Sequence, residues 1–122
     1  MASPQTYAAE KQQILRELAK LAQAGEVTYY RELGVKIGKH ERWPLWKTVL
    51  DEITREEHAQ GRPDITVIIL SAKTGWPSRV GFKDTYGSPS PEQKRLAQQK
   101  LDDVFKHYCP RRPIPKLPKR KR

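Results

Sequence analysis

The chain has 122 residues, one cysteine and a formal net charge of +10. That length suits a single domain that folds without staples, and one cysteine excludes an internal disulfide framework and points to a reducing compartment. No apolar run approaches the roughly 18 residues of a membrane span, and the opening MASPQTYAAEKQQ lacks the apolar core of a secretory signal, so no membrane partner and a cytoplasmic location are expected.

Residues 4–24 predict a first helix. Ser3 serves as its cap and Pro4 as its first helical residue. Ile14, Leu15, Leu18, Leu21 and Ala22 fall on one face, and Gly25 ends it. After a short β-prone piece at Val27, Thr28 reads as an N-cap. Tyr29, Leu33 and Ile37 then recur every four residues, which predicts a second helix weakened and ended by Gly34 and Gly38. A third helix is expected within 39–63. Pro44 sits in its first turn, Trp46, Val49, Leu50 and Ile53 form its stripe, and Gly61 and Pro63 stop it.

The β-branched run DITVIILSA (64–72) predicts a strand covered on both faces. KTGWPS should reverse the chain, RVGF (79–82) should return it as the second strand of a hairpin, and KDTYGSPS reads as a loop. A last helix is expected over 90–108, with Ser90, Pro91 and Gln93 as a capping box and Leu96, Leu101, Val104, Phe105 and Tyr108 as its stripe. The proline-rich segment after Cys109 predicts an extended, disordered tail. The order implies an α+β fold of the winged helix-turn-helix type: three helices, a β-hairpin wing and a C-terminal helix over 1–109, then a basic proline-rich tail over 110–122.

Charge is unevenly placed. Seven basic residues and no acid fall in 110–122, which leaves +3 on the other 109 residues. A basic arm of this kind meets an anionic polymer. Its cations are Arg111, Arg112, Lys116, Lys119, Arg120, Lys121 and Arg122. The start of the third helix adds Lys39, His40, Arg42 and Lys47, in the place where a recognition helix reads base edges. Residues 41–58 nevertheless sum to −2, so phosphate would repel all but the first turn. Tyr30 and Arg31 stand where the preceding helix would meet the backbone. Lys73, Arg79 and Lys83 surround Trp76 in the hairpin, a cationic and aromatic set suited to phosphate and sugar contacts. Trp76 is equally open to packing beneath the hairpin, and Trp46 is expected in the core with Trp43 as a staple.

EVTYYRELGVKIG resembles the V-T-x-Y-G-x-hydrophobic-A segment that opens the helix-turn-helix of the alkylguanine methyltransferase and alkyltransferase-like families, matched at Val27, Thr28, Tyr30 and Leu33. ITVIILSAKTG is similar to the strand and turn R-V-V-N-x-x-G of the same domain. Gly61, Arg62, Pro63, Val67, Ile68, Thr74, Gly75, Pro77, Gly81 and Phe82 also resemble a G-R-P … V-V … T-G-x-P-x-x-G-F pattern of small uncharacterised bacterial domains, with one extra residue before Gly81. The first resemblance implies DNA binding. It does not extend to alkyl transfer, because no Pro-Cys-His-Arg motif lies near Ile65, Arg31 stands at a glycine position and Gly34 at an alanine position.

No catalytic, metal or cofactor site is expected. Cys109 and His107 are two residues apart and would not face each other on a helix. One cysteine and His40, His58 and His107 do not make a zinc set. There is no phosphate-binding glycine loop. Glu56–Glu57 and Asp102–Asp103 read as solvated faces. The leading expectation is a non-enzymatic protein binding duplex DNA, nucleoid-associated in the cytoplasm. The alternatives are an adaptor recognised through PxxP segments in the tail (PRRP, PKLP) or through the acidic third helix, and an RNA- or ribosome-associated protein.

Overall fold

Ile14, Leu18 and Ala22 recur on one helical face, and all three are fully buried in α1 (Ala8–Ala24). Gly25, at φ 73°, lets its own amide reach Ala22 O while Glu26 N reaches Leu21 O. Those are the two bonds of a Schellman stop. α1 touches each of the other helices, so the core is arranged around it. The structure, a computed structural model, describes residues 7–77, 79 and 90–117. The expected Ser3 cap, Pro4, the strand residues 80–82, Lys83 and Lys119, Arg120, Lys121 and Arg122 lie outside the described residues.

Thr28 is not a helix cap. It is a buried residue of β1 (Thr28–Tyr29), and α2 (Tyr30–Ile37) starts directly after it with no side-chain cap. Gly34 is needed for close approach: Lys39 N donates to Gly34 O at 2.8 Å, and a Cβ on Gly34 would lie 2.2 Å from Lys39 O. Residues 38–45 separate α2 from α3 (Trp46–Ala59), about twice the three- to four-residue turn of a helix-turn-helix. The α3 stripe of Trp46, Val49, Leu50 and Ile53 is buried as expected.

The run 64–72 is not one strand. Asp64 accepts a bond from Thr66 N and starts a 3-10 turn over Ile65–Ile68, leaving only β2 (Ile69–Leu70) extended. The whole of 65–70 is buried. Continuous β-branched character therefore reported burial, and the Asp64 cap decided conformation. β2 pairs with β1 in parallel, Thr28 with Ile69 and Tyr29 with Leu70. The two-stranded sheet is thus parallel and not the expected hairpin. The chain does reverse after β2, through Gly75 at φ 77°, with Gly75 N on Ser71 O and Ser71 N on Trp76 O. The only antiparallel pairing among the described residues is a single bridge between Leu70 and Pro77. Proline offers no N–H to extend a ladder from that position.

α4 (Pro91–Tyr108) begins with both bonds of the capping box, Gln93 N to Ser90 Oγ at 3.2 Å and Ser90 N to Gln93 Oε1 at 2.8 Å. Its buried stripe is Ala97, Leu101, Val104 and Phe105, whereas Leu96 is 42 % exposed. The tail departs from expectation as well. Residues 110–117 have no helix or strand, yet Ile114 and Leu117 pack on the core. No described helix is long and apolar enough to cross a membrane. Among the described residues the architecture is helix-rich, with four α-helices and a small parallel sheet.

Candidate nucleic-acid interface

Two of the expected hairpin contacts are internal. Trp76 is 5 % exposed and belongs to the main core cluster. Its backbone N–H donates to Thr74 Oγ1 at 3.1 Å. Trp76 follows the tip of the reversal and lies on its return side, opposite Ser71. Arg79 turns inward as well. Its Nε donates to Thr66 Oγ1 at 3.0 Å, and a terminal nitrogen donates to Asp51 Oδ1 at 2.6 Å and Thr54 Oγ1 at 3.2 Å. Asp64 completes this network by accepting from Thr66 Oγ1 at 2.6 Å and Thr54 Oγ1 at 3.1 Å. Hydrogen bonds from Arg79 and then Lys47 hold the Asp51 carboxyl below its ordinary range. Arg79 is therefore spent tying the reversal to α3 and is not a free phosphate contact. Lys73 remains exposed near the tip.

The acids of α3 are tied down too. Lys11 of α1 reaches Glu52 at 3.3 Å and also pairs with Glu56, and Lys47 pairs with Asp51 at 2.9 Å. Glu57 does not sit on a solvated face. It is 4 % exposed, accepts from Arg62 Nε at 3.0 Å and Nη2 at 2.8 Å, and takes the Tyr108 hydroxyl at 2.6 Å on its other oxygen. Sequence spacing gave no sign of this triad, because Tyr108 lies on another helix. Burial, with the Glu57 bond next, pushes the Tyr108 phenol up to about 12.

A stability consequence follows from that phenol. The unfolded chain loses the tyrosine proton near pH 10, and the folded chain holds it longer. The extra stability is present below about pH 10 and disappears as pH rises through 12. Solvent screening at this half-buried group limits the loss to about 1 kcal/mol. Thermal melts between pH 8 and pH 12 should therefore fall more steeply in the wild type than in Tyr108→Phe. Parallel curves would refute the assignment.

The α2–α3 connection keeps some of its expected surface. Arg31 and Arg42 are exposed. Tyr30 packs edge-on against Trp46 with ring centroids 5.4 Å apart, and Trp43 does the same at 5.3 Å. The Trp46 indole N–H donates to His40 O at 3.0 Å. Lys39 sits 5.3 Å from the Trp43 ring and 3.4 Å from Glu10. Lys47 is exposed but paired with Asp51. This segment is thus an aromatic clamp with two unpaired arginines at its edge, among the described residues.

The C-terminal part carries most of the unpaired positive charge. Residues 90–122 hold eleven basic and three acidic residues, or +8, against +2 for residues 1–89. Among the described residues, Lys94, Arg95, Lys100, Lys106, Arg111, Arg112 and Lys116 are in none of the ion pairs, all of which join residues of 10–79. Arg111 and Lys116 are exposed. Arg112 donates to Ala24 O at 3.2 Å and so caps the carbonyl end of α1, where a cation is favoured. Cys109 ends α4 and is buried, as expected of a helix-end residue near the core. Among the described residues no cluster of three or more histidine, cysteine, aspartate or glutamate side chains is placed to hold a metal. Comparison with known proteins finds no matching family model, no curated relative and no similar solved structure.

Proposed function

We propose that this is a non-catalytic nucleic-acid-binding protein, with duplex DNA as its target, that grips phosphates with α4 and the basic tail. One observation carries the reading: the acids of α3 are matched to internal cations, while the cations of 90–117 have no ion-pair partner among the described residues. Cations without a carboxylate partner are the ones free to neutralise phosphates and release counterions. With Arg79 and Trp76 inside and a long α2–α3 connection, little supports base reading by a recognition helix and wing. The binding expected is therefore backbone-directed and tolerant of sequence.

The test is a mobility-shift titration on two duplexes of unrelated sequence, a single strand and a structured RNA, each at two salt concentrations. Affinity for the two duplexes should agree within about threefold, exceed that for the other two, and fall steeply with salt. No retention of any of them near physiological salt would reject the proposal. Tighter binding to the structured RNA would move the target to RNA.

A further inference from the structure

Accepting that the protein binds nucleic acid as proposed above, we infer that Gln98 holds residues 112–117 of the basic tail as a fixed edge, and that this edge selects duplex over single-stranded nucleic acid. The Gln98 amide meets the tail backbone at both of its ends. Its Nε2 donates to Pro115 O at 3.1 Å, and its Oε1 accepts from Leu117 N at 3.0 Å. Asp102, one turn along α4, accepts from the same Nε2 at 2.9 Å and sets which way the amide faces. A primary amide carries a donor and an acceptor side by side, so one side chain clamps two backbone groups two residues apart.

The other end of the segment is tied by Arg112 on Ala24 O. A Cβ on Gly25 would lie 3.5 Å from both Arg112 Cβ and the Cys109 sulfur, an ordinary contact distance, so α1's end and the tail's start are adjacent. Ile114, between these ties, and Leu117, at the second, pack on the core. Their spacing of three is that of one side of a polyproline-type helix. Lys116 is left exposed within a strap fastened at both ends, and Arg111 is exposed just before its first tie. Lys94 lies one helical turn before Gln98 and so on the same face of α4.

Cations held in fixed positions fit a partner that is itself stiff and evenly charged. Duplex DNA presents one charge per about 1.7 Å of axis and stays straight over about 150 base pairs. Against it the strap needs no ordering on binding, which is the cost a loose arm meets. A single strand bends to follow a loose arm as readily as a fixed one, so it gains little from the strap. Gln98 carries no charge and touches no ligand in this scheme. It is a positioning residue, and its loss should alter affinity without altering the number of phosphates neutralised.

The experiment measures the affinity of wild type and Gln98→Ala for a short DNA duplex and for one of its strands over a salt series, together with amide hydrogen exchange at Leu117. Gln98→Asn, whose amide is one methylene too short to span both backbone groups, is the second variant should the alanine form not fold. In wild type the Leu117 amide should be protected, and in either variant it should exchange freely. Duplex affinity should fall roughly tenfold at an unchanged salt slope, with single-strand affinity changed less than about twofold. Equal losses on both ligands, a shallower slope, or a Leu117 amide unprotected in wild type would overturn the inference. If wild type binds neither ligand, the nucleic-acid reading and the selection fall together, and exchange alone judges the clamp.

Discussion

Trp76→Ala should cost about 3–5 kcal/mol of stability, the range for emptying a buried aromatic site. In a chain of this length that lowers Tm by roughly 10–20 °C. The indole is 5 % exposed and lies in the main cluster with residues of α1, α3 and α4. Truncation leaves a cavity bordered by elements that α1 already fixes in place, so collapse cannot fill it. The position also anchors the reversal, through Ser71 N on Trp76 O, and the neighbouring Arg79 then reaches Asp51. Trp76→Phe should recover more than half of the loss. At a temperature where the alanine form is still folded, its affinity for duplex DNA should match wild type within about twofold. Lost affinity with unchanged melting would put Trp76 back on the surface.

The helices were legible because burial imposes a period of 3.6 on helical sequence. The stripes Ile14–Leu18–Ala22 and Trp46–Val49–Leu50–Ile53 and the Ser90–Gln93 box carry enough information to place α1, α3 and α4. Leu96 went astray because a lone leucine on a polar helix can face water at little cost. The strand over 64–72 misled for a different reason. Full burial on all sides looks the same for a strand and a 3-10 turn, and the single discriminating residue, Asp64, acts through a side-chain bond. Residues that interact across long separations were not legible at all. Nothing near Arg79 in the sequence points to Asp51 or Thr66. Nothing near Glu57 points to Tyr108, and nothing in the tail points to Gln98.

That distinction reshapes the candidate site. Composition counts cations without separating those that neutralise an internal carboxylate from those left facing solvent. Sorting them removes Arg79 and subtracts from Lys39 and Lys47, which sit beside Glu10 and Asp51. It leaves Arg16, Arg31, Arg42, Arg55 and Lys73 as surface charges outside the C-terminal end, where the other unpaired cations among the described residues lie. A charge already paired contributes little to counterion release, because phosphate would have to displace a carboxylate first.

Replacing Arg111, Lys116, Lys119, Arg120, Lys121 and Arg122 together by glutamine should weaken duplex binding by about a thousandfold or more near physiological salt. The slope of log affinity against log salt should flatten by as much as about 5, since each neutralised phosphate contributes about 0.9. Arg112 is kept, because it caps α1 at Ala24 O and its loss would mix a folding effect into the result. The variant retains a formal charge of +4, so diffuse attraction to a polyanion survives and the change reports local contacts. Arg111 and Lys116 are exposed and unpaired among the described residues, and melting should therefore shift by no more than a couple of degrees. Lys47→Gln is the matched control: it removes an exposed cation that is already paired with Asp51, and its slope should stay within about half a unit of wild type. Unpaired cations act on the ligand and paired ones on the fold, so the two variants must separate. Equal slopes in the six-fold variant and wild type would take the tail out of the interface and leave α4 alone to hold the phosphates.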